Sequence, residues 1–286
     1  MVGFASTADL VDKQVAFDAL GSDLYAHTAE GDPNSGVIVG PDGVTVVDAR
    51  DTPALAAAVI ARIATVTDRR VNRIVLLHYH AVRMLGASGY GANEIICSDV
   101  LLELIAERGP ANMASEISRF PRLFRGQEGI PGLAWPTLSF HAWMSLGLGE
   151  HEAQIIHIGR AHTMGDTVAW PPKEKMVFAG DTVEFGAAPC CGDADFADWG
   201  KTLRQLRELG AEKMVPGRRR ALLTKADLAE GIAGTNAFIS TLFGIARGWN
   251  LKDTYRKVME ELWRALESRV ILKQCTRRAI SGGKQQ

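Results

Sequence analysis

The chain has little of what marks several common protein classes. Its 4 cysteines in 286 residues are too few for the disulfide framework of a small secreted domain. Two of them, Cys190 and Cys191, are adjacent, a spacing that disfavours their pairing with each other in ordinary backbone geometry. Reduced thiols in a cytoplasmic protein are the expectation. Net charge is also missing: 32 basic residues against 33 acidic ones leave a formal charge of −1, so no bulk field draws the chain to nucleic acid or an anionic membrane. No apolar run approaches the roughly 20 residues that span a bilayer, and Met1 to Leu10 lacks the basic start and apolar core of a signal peptide. Internal repeats and Pro-, Gly- or Ser-rich linkers are absent as well.

What remains is a chain that is 47% hydrophobic, long enough to bury one large core, and residues 1–286 read as a single domain. Short strands are expected at Leu24–Thr28, Val37–Val39 and Val44–Asp48, the last two joined by the turn Gly40-Pro41-Asp42-Gly43. Thr52-Pro53 opens a helix with apolar positions at Leu55, Val59, Ile60 and Ile63. The buried strand Ile74–Leu77 then delivers His78 to its tip, completing a βαβ unit. Glu94–Cys97 reads as a further strand, followed by a helix from Val100 to Arg108 that Ser98 caps and Gly109 ends.

Residues 110–150 hold four prolines and several aromatics and read as an irregular segment, either a lid over a site or a plain connection. Strands resume at Gln154–Ile158, Val168–Trp170, Met176–Ala179 and Met214–Val215. Two helices close the chain within about 223–270, at Lys225–Leu242 and Asp253–Leu266. The alternation of strand and helix favours an α/β (α+β) architecture.

Three of these strand ends carry metal-binding side chains: His78-Tyr79-His80, His162 within Gly159-Arg160-Ala161-His162-Thr163, and Asp181 within Phe178-Ala179-Gly180-Asp181. Neutral imidazoles and a carboxylate suit zinc, iron or manganese. His-x-His alone is a weak signal, and Asp181 read alone is equally a turn residue bonding its own backbone. His27, His141, His151 and His157 stand in no motif and read as structural or solvated.

Taken in order, the motifs resemble those of the metallo-β-lactamase fold superfamily: the N-terminal hairpins, Asp48 after Val46-Val47, the His78 motif, the His162 motif, Gly180-Asp181 and Val215-Pro216-Gly217. The resemblance spans residues 20–220. It implies a four-layer αββα sandwich with a metal site on loops at one edge. It implies further that His78, His80 and His162 hold one divalent ion, with Asp181 as an additional ligand. In relatives that Asp bridges to a second ion, whose other ligands are an Asp and a His of the first motif and a later His. Here those three positions hold Val82, Arg83 and Arg218. Valine cannot ligate and guanidinium stays protonated, so a single-ion site is expected, zinc foremost and iron as the alternative.

Two arginines beside a cation would favour an anionic small-molecule substrate, with Arg83 and Arg218 in the orienting role of the missing ion. The alternative is that one or both merely pair with Asp166, Asp193 or Asp195. Asp48 and Asp166 suit the orientation of imidazoles or loop amides, and Asp166, like Asp181, is also a candidate general base in the catalytic set. The segment containing Cys190, Cys191, Asp193 and Asp195 offers a substitute ligand or a substrate contact, or only a buried thiol. Tyr79 sits beneath the site or donates to an oxyanion.

The resemblance implies metal-assisted hydrolysis of an ester, thioester, lactone or amide. Two alternatives stand beside it: a mononuclear iron dioxygenase of the sulfur dioxygenase type, with His78, His162 and Asp181 as the triad, and a binding or sensing protein that kept the fold. Arg218-Arg219-Arg220 is too short a basic run to indicate a nucleic acid. A membrane partner is not expected, and a homo-oligomer is compatible with the sequence.

Overall fold

The computed structural model describes residues 5–247; the predicted helix Asp253–Leu266 lies outside them. Twelve strands fall into two sheets. The larger contains β1 (Val15–Gly21), β2 (Leu24–Ala29), β3 (Ser35–Gly40), β4 (Gly43–Val47), β5 (Val71–Val75), β6 (Glu94–Ser98) and β7 (Leu138–Phe140), in that spatial order. The smaller contains β8 (Trp143–Leu148), β9 (His151–Gly159), β10 (Asp166–Trp170), β11 (Met176–Gly180) and β12 (Lys213–Pro216), running from β12 to β8.

Hairpins make β1 to β4 and β8 to β11 antiparallel, whereas β4–β5, β5–β6, β6–β7 and β11–β12 are parallel pairs. Parallel neighbours need crossovers, and helices supply three of them: α1 (Pro53–Ile63), α3 (Asp99–Arg119) and α4 (Phe196–Glu208), with the short α2 (Ala81–Met84) lying between β5 and β6. The last helix described, α5 (Lys225–Arg247), packs against α4 and β12.

Three apolar layers follow from the strand alternation. Ile38, Val47, Val75 and Leu77 of the larger sheet meet Ile155, Ala169, Met176 and Phe178 of the smaller one. On its other face the larger sheet buries Val46, Ile74 and Tyr79 with Val59 of α1 and Leu101 and Ile105 of α3. The outer face of the smaller sheet packs Val168 and Val177 on Trp199, Leu203 and Leu206 of α4 and Ile232 of α5. Helix, sheet, sheet, helix is the αββα sandwich, and no helix among the described residues is long and apolar enough to cross a membrane.

The structure corrects the reading of residues 109–150. Helix α3 does not stop at Gly109 but runs through Pro110 to Arg119, although an interior proline costs on the order of 3 kcal/mol. Tertiary contacts offset that cost. The Gly109 Cα lies against Leu133 so closely that a Cβ would sit 2.9 Å from its Cδ1. Beyond the proline, Asn112 Oδ1 accepts the Ala81 amide at 2.9 Å and Glu116 Oε2 accepts the Val82 amide at 3.0 Å. These are unpaired donors in the first turn of α2, so the continued helix anchors the segment just after His80. Part of the remaining interval is regular too, as β7 and β8.

Strand β1 and helix α4 have no counterpart in the sequence reading. For α4 a signal was present: Asp195 caps the helix by accepting the Ala197 and Asp198 amides, both at 3.1 Å, and Trp199, Leu203 and Leu206 recur on one face.

Candidate metal centre

The side chains of interest stand on loops that leave the C-terminal ends of β4, β5, β9, β11 and β12 at one edge of the sandwich. Asp48, just past β4, adopts the left-handed region at φ 63°, a conformation that Asp tolerates better than most residues. Its Oδ1 accepts the Leu77 amide at 2.9 Å, which fixes the backbone immediately before His78. Asp166 does the same for the second motif: Oδ2 accepts the Thr163 amide at 2.9 Å and Oδ1 the Thr163 hydroxyl at 2.7 Å. Both oxygens of Asp166 are therefore engaged and buried, and burial raises its pKa to about 7. It holds the loop that carries His162; a base in contact with substrate is not what this geometry offers.

His78, His80 and His162 come together, all buried, with one nitrogen of each within 4.8 Å of the others. Their remaining nitrogens set the protonation pattern. His162 Nδ1 lies 2.8 Å from the Cys190 carbonyl, which only accepts, so the proton is on Nδ1 and the lone pair on Nε2. His80 Nε2 lies 3.0 Å from Asp193 Oδ2, so its lone pair is on Nδ1. These two lone-pair nitrogens face each other at 2.9 Å, an arrangement that a shared cation satisfies.

Nε2 of His78 is buried without a hydrogen-bond partner among the described residues. The His80 amide lies 3.2 Å from His78 Nδ1, so in this arrangement the ring's proton rests on Nε2, and ligation through Nε2 as a neutral imidazole would require the other tautomer. Burial lowers the pKa of His78 to about 3 and that of His162 well below its ordinary value. Neutral imidazoles are what a divalent ion needs, and the donor set fits one.

Asp181 divides its two oxygens. Oδ2 lies 3.3 Å from His78 Nε2 and 3.5 Å from His162 Nε2, facing the imidazoles. Oδ1 is taken by Arg83 Nη2, in very close contact, and by Arg218 Nη1 at 3.2 Å. Burial alone would raise its pKa, but Arg218, Arg83 and His78 together hold it well below the usual carboxylate range. Asp181 is thus held as an anion whose Oδ1 already carries two guanidinium groups.

Arg83 is fully committed to the interior. Nη1 donates to the Asn34 carbonyl at 2.8 Å and to Asp48 Oδ2 at 3.0 Å, while Nη2 donates to Asp181 and to the Gly217 carbonyl at 2.6 Å. At 1% exposure it reaches no substrate, which corrects the expectation that it orients one. The partners expected for a purely structural role, Asp166, Asp193 and Asp195, are not the ones it has. Asp195 instead caps α4 and stands 3.6 Å from Arg160.

Arg218 is different: its side chain is 17% exposed and lines a cleft of about 110 Å³ together with His80, His162 and Asp181. Its Nη1 binds Glu184 Oε1 closely. Glu184 escaped the sequence reading because no motif surrounds it, yet it is buried beside the site, and burial, opposed by Arg218, leaves its pKa raised to about 8. Val82, Phe120 and Leu123 are its apolar side chains, and Gly31, Glu116, Arg122, Asp9 and Cys190 complete its lining.

Similarity to known proteins agrees with this geometry. The sequence model of the Metallo-beta-lactamase superfamily matches residues 145–218. No curated protein matches the chain. Among solved structures, a metallo-beta-lactamase from Pontibacter korlensis superposes with a TM-score of 0.63 at 17% identity, over 79% of this chain and 99% of that one. A metallo-beta-lactamase from Hirschia baltica gives 0.61 at 17% identity, over 78% and 98%. One from Erythrobacter litoralis, with beta mercaptoethanol in its active site, gives 0.61 at 19% identity, over 80% and 100%. At these identities the structural likeness speaks for the fold.

Proposed function

We propose that the chain is a member of the metallo-β-lactamase fold superfamily and a hydrolase of a small anionic ester, thioester, lactone or amide, a reading supported by the family match over residues 145–218 and by the shared fold. It uses one divalent ion, zinc, held by His78, His80 and His162. The observation that carries this reading is the meeting of the His80 Nδ1 and His162 Nε2 lone pairs at 2.9 Å beside His78, whose Nε2 stands 3.3 Å from Asp181 Oδ2. A divalent ion in such a site lowers the pKa of water and polarises a carbonyl.

The protein's own residues supply the rest. Asp181 faces the ion through Oδ2 and stays anionic because Arg83 and Arg218 hold Oδ1. The same two guanidinium groups repel a second cation at Oδ1, and Val82, whose side chain packs in the core with residues of α3, offers it no ligand. Arg218 lines the cleft and its printed contacts use Nη1 alone, so its guanidinium suits a substrate carboxylate or phosphate. The apolar side chains of Val82, Phe120 and Leu123 line the same cleft.

Elemental analysis of the purified protein tests the reading directly. One zinc per chain, lost in His162→Ala, is expected, together with hydrolysis of at least one class in a panel of carboxylate-bearing esters, thioesters, lactones and amides. Two metals per chain, or unchanged metal content in the variant, overturns it.

One observation favours a second reading. Asp181 Oδ2 approaches both His78 Nε2 and His162 Nε2, two imidazoles and a carboxylate as in mononuclear iron oxygenases. Oxygen uptake by the iron-loaded protein with glutathione persulfide distinguishes the two; no uptake removes the oxygenase.

A further inference from the structure

The loop between β11 and α4 grips two of the three imidazoles from behind. Asp193 Oδ2 accepts from His80 Nε2 at 3.0 Å and, in closer contact, from the Tyr79 hydroxyl. A few residues earlier the Cys190 carbonyl lies 2.8 Å from His162 Nδ1. Asp193 is not a ligand itself, because it meets His80 on the ring nitrogen opposite the one that faces His162.

We propose that Asp193 is a positioning residue for the metal centre: it fixes the ring of His80 with Nδ1 toward the site, and Tyr79 in turn fixes Asp193. The inference rests on the metal reading above and assigns a role to a residue that the ligand set leaves out.

The physical argument is one of donors and acceptors. An ionised carboxylate only accepts, so an imidazole bound to it must present N–H, and the other nitrogen is left with its lone pair. One hydrogen bond therefore selects the tautomer and the ring orientation together, and such outer partners typically change metal affinity 10- to 100-fold. Tyr79 makes the arrangement rigid. It is 2% exposed and anchored in the core, so its hydroxyl gives the partly exposed Asp193 side chain a stationary second contact. Arg108 Nη1, at 3.9 Å from Oδ1, adds only a long, solvent-screened attraction.

Two measurements on the full chain test the proposal. Nitrogen-15 NMR of the histidine rings, recorded without metal, should show His80 with its proton on Nε2 and that proton shifted downfield by the carboxylate. Asp193→Ala should remove the downfield signal, and Asp193→Asn should restore it in part through its amide oxygen. Zinc affinity, measured by competition with a chelator, should fall roughly 10- to 100-fold in Asp193→Ala, less in Asp193→Asn and several-fold in Tyr79→Phe. Unchanged zinc affinity and an unchanged His80 signal in Asp193→Ala overturn the proposal. If Asp193→Ala fails to fold, the Asn and Phe variants carry the same test, and wild-type behaviour in both overturns it. Failure of the metal reading looks different: the wild-type chain then binds no zinc, while the NMR signal still reports whether Asp193 sets the His80 ring.

Discussion

His80 and His162 face each other through Nδ1 and Nε2 at 2.9 Å, each with its other ring nitrogen bound to an acceptor that leaves the facing one unprotonated. Two lone pairs at that separation repel unless a cation lies between them. The same loop that imposes this arrangement lines, through Cys190, the cleft that Arg218 also lines, so the orientation of the imidazoles and the shape of the cleft share one structural element.

Arg83 is the most heavily bonded side chain at the site and is almost wholly buried. Replacing it by Met leaves Asp48 a buried carboxylate without its cation and Asp181 with Arg218 alone. A loss of roughly 3–5 kcal/mol is expected, the usual cost of removing one partner of a buried pair. Arg83→Lys, which keeps the charge but not the fork, should fall between. Urea unfolding measures both; a loss near zero in Arg83→Met would contradict the structural role.

Arg218 has the opposite profile: its side chain is 17% exposed and lines the cleft. In Arg218→Ala, kcat/KM for a substrate bearing a carboxylate should drop about 10- to 100-fold, the size of one lost charge-assisted hydrogen bond. An uncharged analogue of the same substrate should be much less affected. Steady-state kinetics on the matched pair is the check, and equal losses on both would remove the recognition role.

Gly217 lies where a side chain has no room. A Cβ would overlap Asp181 Oδ1 and stand 3.0 Å from both Arg83 Nη2 and Glu184 Oε1. Gly217→Ala must therefore displace the ion-paired cluster, and destabilisation of about 1–3 kcal/mol is expected from overpacking. Lowered metal retention should accompany it because Asp181 moves. Thermal denaturation and elemental analysis read the two effects.

Asp51 supplies a pH dependence away from the ligands. Neither of its oxygens has a hydrogen-bond partner among the described residues. Burial raises its pKa from 3.8 to about 7, with Arg50 opposing and Asp32 and Glu116 adding to the rise. The folded chain thus keeps a proton that the unfolded chain releases. Stability from this group is fully present below pH 3.8, declines as pH rises toward 7 and levels off above it. Asp51→Asn should flatten that decline, seen as a smaller fall in urea midpoint between pH 5 and 8. A variant as pH-sensitive as the parent would show that other groups govern the slope.

How much of this was legible in advance varies by residue. The three histidines stood out because each sits at a strand end within a short contiguous motif, so local order carried the information. The commitment of Arg83 did not stand out. Its partners Asp48, Asp181 and Gly217 lie 35, 98 and 134 residues away, and nothing local distinguishes an arginine that faces substrate from one locked inside. The passage of α3 through Gly109-Pro110 was equally hidden, because the local stop signal was outweighed by contacts with Leu133, Ala81 and Val82.

The amino-acid sequence by itself determined most of the central strands and the alternation of strand and helix, which depend on side-chain periodicity, while the sandwich class and the candidate ligands were what the resemblance of its short motifs implied. The same resemblance implies that a second ion lacks ligands, because the positions that would supply them hold valine and arginine. Only the tertiary structure decided which arginine remains at the cleft, which nitrogen of each imidazole faces inward, and that Asp193 holds His80. Those outcomes depend on hydrogen-bond partners brought together from separate loops, and a donor or acceptor acquires its role only from the group that folding places opposite it.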